Sequence, residues 1–597
     1  MSRNRIPLLV LLTSTVALQA CGGSRKPSGP EVTSLAPATG TSSTVVAISG
    51  AGFTGTTASP PTVTFTPSAG GASYPAQVAS ATATGVDVAV PAVPAALAAA
   101  GTAFDVTIEN PGGGSTTLPH AFTMAAPTLA DVNGGLAGSG SQNSLFIVDG
   151  AAFGDLSAQA AGYSVDFRDA GSGAVVASAA VGYAAGDWTN IYVVGTVPAS
   201  LSTGTTYQVT VTTPSGTSAP RTFEVLGGVP FSPSQIQWSA TSSLPVAQQG
   251  FSAAVAAIGT TSYVYAIGGN VATAATADGK ASNVSTVYVN PIDAATGALA
   301  GATWTTATPL PDQRGFAAAV VADAANSLVP GNGNLYVLGG LDGTGAATST
   351  VYFASLASDG TIPAAGAPGT WAETTPLPQA LFATSAVLFH GRIYVAGGND
   401  STGAPVAKVW AAKIQADGTL AAWEPQPDLP AALAYHQLVT SAGYLYALGG
   451  DTAAVDPVTN ALAATSQSAI YYDQIDIRNG ALVSAAWTTN ASSLGKAREK
   501  FTAVVAGSYV LVSGGLYNGA STGSSEQSYA QLGSQGAIGS FNGATGSHTI
   551  AGSASGYDFY NHAAAFFVDG AGAPHVLVLG GADVGAGTVH DGVWYQH

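Results

Sequence analysis

The stretch NLYVLGG, residues 334–340, is a short apolar run that stops at two adjacent glycines. The same form occurs six times, with double glycines at Gly268-Gly269, Gly339-Gly340, Gly397-Gly398, Gly449-Gly450, Gly514-Gly515 and Gly580-Gly581. Outward from each glycine pair the chain keeps a common order. A loop leads to an apolar–aromatic pair: Val287-Tyr288, Val351-Tyr352, Val409-Trp410, Ile470-Tyr471 and Val593-Trp594, with Ser528-Tyr529 the imperfect fifth member. A turn then centres on Gly297, Gly360, Gly418, Gly480 or Gly536, and a strand ends in Trp304, Trp371, Trp423, Trp487 or, as a departure, Phe541. Leu-Pro opens the way to the next strand at Leu244, Leu310, Leu377 and Leu429, whereas Leu494 is followed by Gly495.

Each piece has a physical role. Glycine permits positive φ and close backbone approach where a buried strand ends. Asp-Gly and Asn-Gly pairs suit tight hairpins. The aromatic pair and the Trp supply area for packing one small sheet on the next. A sheet of four short strands cannot bury both faces alone, and radial stacking of copies solves that problem. The expected product is a six-bladed β-propeller over residues 228–597. Six double glycines are followed by only five complete turn-plus-strand segments, and the chain ends at DGVWYQH. The extra strand SPSQIQW, residues 232–238, has no double glycine before it and is expected to pair as the outer strand of the last blade.

These residues resemble the kelch repeat family, and the resemblance covers residues 231–597. The basic residue that kelch repeats often place before the inner strand is clear only at Arg314 and Arg498. The resemblance also brings enzymes into view. Kelch copper oxidases need a Tyr–Cys crosslink, but the only cysteine here is Cys21, far outside the repeats. A sialidase-like turn is echoed once, by SDGTI at residues 358–362. Sugar mutarotases of the propeller type remain an alternative.

Ahead of the repeats, residues 30–124 and 125–227 read as two related β-units. Each has a strand running into a Gly-x-x-Phe turn, ISGAGF at 48–53 and IVDGAAF at 147–153, and each later closes a strand on Pro91 or Pro198. Alternating strands with turn signals roughly every 8–12 residues argue for small sandwiches. Their order resembles the IPT/TIG immunoglobulin-like family, which implies spacer or adhesion modules. The fold class is therefore all-β: two immunoglobulin-like sandwiches followed by a six-bladed kelch-type propeller.

The first residues read as an address. Arg3 and Arg5 precede a short apolar segment, too short for a stable span. Leu18-Gln19-Ala20-Cys21 then resembles a bacterial lipobox, which implies a signal peptide over 1–20 and lipid attachment at Cys21. Residues 21–29 form a Gly/Ser/Pro tether. The residue after Cys21 is not Asp, which in a Gram-negative cell resembles outer-membrane sorting. The expected location is the bacterial cell envelope, with the membrane as a partner through Cys21.

Composition narrows the partners. The net charge is −17, only 8% of residues are charged, and four of the 15 Lys and Arg lie in the first 26 positions. Such a surface is a poor match for phosphate backbones, so nucleic acid is set aside. One cysteine excludes internal disulfides and Cys-rich metal sites. No histidine pair has metalloprotease spacing, so no catalytic, cofactor or metal residues are assigned. Asn270, Asp342, Asp400, Asp451, Asn518 and Asp583 follow the double glycines and are expected to cap turns at the strand ends opposite the loops that lead into the inner strands.

Scarce basic residues cluster in those inner-strand loops. Gln249, Arg314, Lys496, Arg498 and Lys500 are expected to share one rim with Tyr435, His436, Tyr560, Asn561 and His562. Aromatics beside Arg, Asn and His suit an acidic sugar or a carboxylate peptide. The preferred function is a surface-anchored, non-enzymatic protein that binds a glycan or a protein. A propeller-type mutarotase or lyase, or a structural envelope protein, are the alternatives.

Overall fold

In the computed structural model the described residues run from 29 to 596, interrupted most extensively at 226–237, 272–281, 324–331, 455–464, 518–525 and 543–558. Cys21 and residues 232–237 of the expected closing strand lie outside the described residues. The described chain is all-β apart from one short helix, Ala95–Ala98. None of its helices is long and apolar enough to cross a membrane.

Two double-layered units come first. In the first, Glu31–Ala36, Val45–Ala51, Gly85–Ala89 and Gln77–Thr82 form one layer, facing a second built on Ser115–Met124, Ala103–Glu109 and Thr62–Pro67. Alternation does the sorting. Phe104, Val106 and Ile108 point inward from one strand, and Val63 and Phe65 from its neighbour, into a common core. Phe65 meets Phe122 edge-on at 5.6 Å. The second unit repeats the plan around Phe146, Phe167 and Phe223, with Phe167 and Phe223 5.2 Å apart. The two units touch through Thr41 Oγ1 and Ser215 Oγ at 2.8 Å.

The remaining strands make six antiparallel sheets of repeated design and two short two-stranded pairs, Arg498–Glu499 with Leu516–Tyr517 and Phe559–Tyr560 with Ala582–Asp583. The second sheet is typical, with Ala318–Ala322 innermost, then Asn334–Leu338, Val351–Ser355 and Ala372–Thr374. The innermost strand of each sheet packs on that of the next, and the sixth packs on the first, so the sheets close into a ring. In the sixth sheet the outer strand is Trp238–Ala240, paired with Val593–Gln596 at the other end of the repeats. The fifth sheet has three strands among the described residues.

The quoted stretch explains the joints between sheets. Gly339 and Gly340 have φ of +61° and +96°. A Cβ on Gly340 would lie 2.9 Å from the Ala317 side chain, and one on Gly339 would lie 2.5 Å from the Leu381 carbonyl oxygen. With no side chains in the way, the Gly340 N–H reaches the Leu381 carbonyl of the next sheet at 2.8 Å. Gly269, Gly398, Gly450 and Gly581 donate in the same way to Arg314, Leu433, Arg498 and Gln248. The double glycine is thus a sheet-to-sheet joint, which accounts for its recurrence.

Aromatic residues staple the same neighbours at larger radius. The Tyr336 hydroxyl donates to the Gly418 carbonyl of the next sheet at 2.7 Å, and Tyr265 and Tyr394 do the same to Gly360 and Gly480. Trp371 Nε1 donates backwards to the Thr308 carbonyl at 2.9 Å, a bond matched by Trp304, Trp423 and Trp487. Phe541 has no such N–H to offer.

Candidate functional site

One residue per sheet sits just before the innermost strand: Gly250, Phe316, Ala383, Tyr435, Lys500 and Asn561. All six have φ between +51° and +57°. This conformation turns each N–H toward the carbonyl of its counterpart in the preceding sheet. The result is a closed circle of six backbone hydrogen bonds, 2.7–3.1 Å long, across one end of the central channel. Five of the six are not glycine, and a side chain in this region of φ costs on the order of 1–3 kcal/mol. The circle of bonds and the packing below it hold them there.

The channel beneath has a volume of about 370 Å³ and is lined chiefly by Ala, Ser, Thr and Val from the inner strands, including Ala318, Ser385 and Thr502. At the circle a smaller recess of about 100 Å³ is lined by Phe316, Tyr435, His436, Lys500, Asn561 and His562, among others. Here the side chains differ in chemistry. Phe316 meets Tyr435 edge-on with ring centres 6.0 Å apart. Lys500 Nζ lies 4.8 Å from the Tyr435 ring centre and 5.9 Å from that of Tyr560, within cation–π range. Asn561 Nδ2 donates to Gln249 Oε1 at 3.1 Å.

Of the ten residues expected on one rim, Tyr435, His436, Lys500, Asn561 and His562 line this recess. Gln249 and Tyr560 stand directly beside it through the contacts just given. The other three depart from expectation. Arg314 is buried, with Nη1 held by Asp312 Oδ2 at 2.8 Å and the Gln313 carbonyl at 2.7 Å, and its guanidinium stacks 5.0 Å from the Tyr352 ring centre. Arg498 repeats this arrangement, bonding the Gly514 carbonyl at 3.0 Å and stacking on Tyr517. Both arginines serve packing within their own sheets. Lys496 is half exposed and pairs with Glu526. Repeat position explains the pattern: two residues before the circle a side chain turns into the sheet, whatever its charge.

His562 also borders the channel, yet both histidines are almost wholly buried. His436 and His562 share one repeat position with Phe251, Ala317, Thr384 and Phe501, and each side chain lies over the double glycine of its own sheet. Burial holds both imidazoles neutral by lowering their pKa to about 4. His562 Nε2 is 2.9 Å from Thr502 Oγ1.

The acidic positions after the double glycines need one correction. Those among the described residues lie at the same strand ends as the recess, because each second strand runs antiparallel to the innermost one, while Asn518 lies outside the described residues. Asp342 and Asp400 cap their own turns, each accepting an N–H two residues on at 2.8 Å. Asp451 does this too, but also lies beside Glu499, a residue that pattern reading missed. Burial pushes the Glu499 carboxyl up to about 8, with Asp451 adding to the rise and Lys500 opposing it. A charged side chain next to the circle position was visible in the sequence, but its burial was not. Among the described residues one His/Asp group has converging donor atoms: Asp131, Asp149 and His390, at the other end of the ring.

No family model and no curated protein matches. A solved structure described as "Structure of YjhT" aligns over 59% of this chain and 95% of its own, with 13% identity and a TM-score of 0.40.

Proposed function

We propose that this chain is a lipid-anchored envelope protein in which two IPT/TIG-like modules carry a six-bladed kelch-type propeller, and that the propeller mouth binds an acidic glycan or a protein carboxylate. The observation that carries the reading is the Lys500 ammonium set between Tyr435 and Tyr560 in a recess lined by Asn561. Aromatic faces take up sugar rings or apolar side chains, while a cation and an amide suit a carboxylate. The recess holds about three waters' worth of volume, enough for a carboxylate group. The second sandwich contacts the opposite end of the ring, through His390, and so does not cover this mouth with that contact.

Glu499, buried beside Asp451, favours a sugar-active enzyme at first sight, since a raised carboxyl pKa marks acid–base sites. Both residues are fully buried and neither lines the recess. A substrate in the recess would not touch them, so binding without turnover is the better reading.

A glycan array and a pull-down with the purified protein test it. Binding of uronic- or sialic-acid-bearing glycans, or of carboxylate peptides, that is lost in Lys500→Met and Tyr435→Ala is the expected result. Binding retained by both variants would move the site elsewhere. Membrane association is tested separately: Cys21→Ala is expected to release the protein into the soluble fraction.

A further inference from the structure

Asp131 and Asp149 sit directly opposite each other on adjacent antiparallel strands, Thr128–Val132 and Leu145–Ala151, of the second sandwich. Both are buried, at 1% and 3% exposure. Like charges at opposed strand positions repel, and burial strengthens the repulsion. Something must compensate them. His390 reaches in from the ring, on the tight turn between Ser385–Phe389 and Arg392–Ala396. Its Nε2 stands 3.0 Å from Asp131 Oδ2 and 3.4 Å from Asp149 Oδ2. One imidazole N–H serves one of these oxygens, and the closer is on Asp131. Neither Asp149 oxygen receives a hydrogen bond, although the side chain is almost wholly buried. A carboxylate left in that state costs several kcal/mol, so native proteins rarely tolerate it.

A cation removes the difficulty. The three donor atoms lie within 4.8 Å of one another. Metal–ligand bonds of about 2.1 Å at tetrahedral or octahedral angles place neighbouring donors roughly 3.0–3.4 Å apart. The two His–Asp separations fall in that range. One imidazole nitrogen and two carboxylate oxygens form a borderline donor set that suits zinc-class ions better than Ca²⁺, which prefers six to eight oxygens. We propose that Asp131, Asp149 and His390 form a binding site for a divalent transition-metal ion of the zinc class, which fastens the second sandwich to the third sheet of the ring. Binding releases the imidazole Nε2 proton, and solvent completes the coordination.

The site joins two separately cored parts, so its loading governs how rigidly the mouth is presented. Around it the Tyr192 hydroxyl accepts a bond from Gln474 Nε2, and Ile147 packs against the turn at Gly443.

Cobalt and zinc titrations of the full chain test the proposal. Visible Co²⁺ absorption saturating at one ion per chain is expected, with displacement by Zn²⁺ and a higher melting temperature in Zn²⁺ than in a chelator. Asp149→Asn and His390→Gln should each weaken binding by more than about ten-fold. Circular dichroism confirms that the variants are folded, and the isosteric Asp149→Asn keeps the test open if His390→Gln is not. Absence of saturable binding overturns the proposal. So does binding that survives both substitutions, or destabilisation by the variants with no metal effect in the parent, which would leave a plain ion pair.

Discussion

At Gly340 two demands coincide: φ of +96° and a backbone packed against Ala317. Gly340→Ala should therefore cost more than about 2 kcal/mol, read as a lower denaturation midpoint, because strain and clash act together. Tyr336 makes a gentler test. Tyr336→Phe keeps the ring but leaves the Gly418 carbonyl unpaired, and the expected loss is about 1–3 kcal/mol. Residues of this kind are legible in a sequence because the backbone or a hydroxyl imposes a residue type. The circle positions are not. Gly250, Phe316, Ala383, Tyr435, Lys500 and Asn561 share a conformation and a bonding pattern but no side-chain chemistry. The requirement falls on the backbone alone, so no pattern of residue types marks it. The side chains are left free to differ, which is the condition a binding surface needs.

Among the elements, the short strand Trp238–Ala240 is the most informative. It completes the sixth sheet from the far end of the repeats, and Trp238 Nε1 donates to Gln527 Oε1 of the fifth sheet at 3.1 Å. One strand thus closes a sheet, buries an indole and joins two neighbours. Trp238→Ala should cost about 3–5 kcal/mol. Deleting residues 228–240 should go further, exposing the edge of Val593–Gln596 and producing association visible by light scattering. Unchanged melting and monodispersity after the deletion would show that the ring does not depend on this strand. The role of a terminal strand could be counted out in advance, because incomplete units at the two ends of a repeat array must complement each other. The inward turn of Arg314 and Arg498 could not, since a basic residue beside a loop reads the same whether it faces solvent or a tyrosine ring.

For the molecule as a whole, the mixture of what was and was not legible has an electrostatic consequence. Low charge and apolar alternation announce a β-rich core, yet several ionisable groups are enclosed in it, and only three-dimensional packing reveals which ones. His436 and His562 bind protons near pH 4 in the folded chain and near 6.5 when unfolded. Between those values the unfolded chain holds more protons, so stability is full above about pH 6.5 and falls on acidification, by on the order of 3 kcal/mol per histidine. Glu499 acts in the opposite sense. Its folded value of about 8 lies above the unfolded one near 4.5, so the native state holds the extra proton and stability declines as pH rises through that interval. Together they predict a melting temperature that peaks on the mildly acidic to neutral side and falls both ways. Substitution separates the limbs. Phe251 and Phe501 already occupy the His436 repeat position in two other sheets. His436→Phe should therefore fold normally and remove about half of the acid limb, the share of one of the two histidines, while leaving the alkaline one. Glu499→Gln should flatten the alkaline limb alone. Melting curves of the parent and both variants from pH 4 to 9 measure this directly. An acid limb unchanged in His436→Phe would mean that the imidazole is already protonated in the folded chain, and the packing described over Gly450 would then need a buried counter-charge.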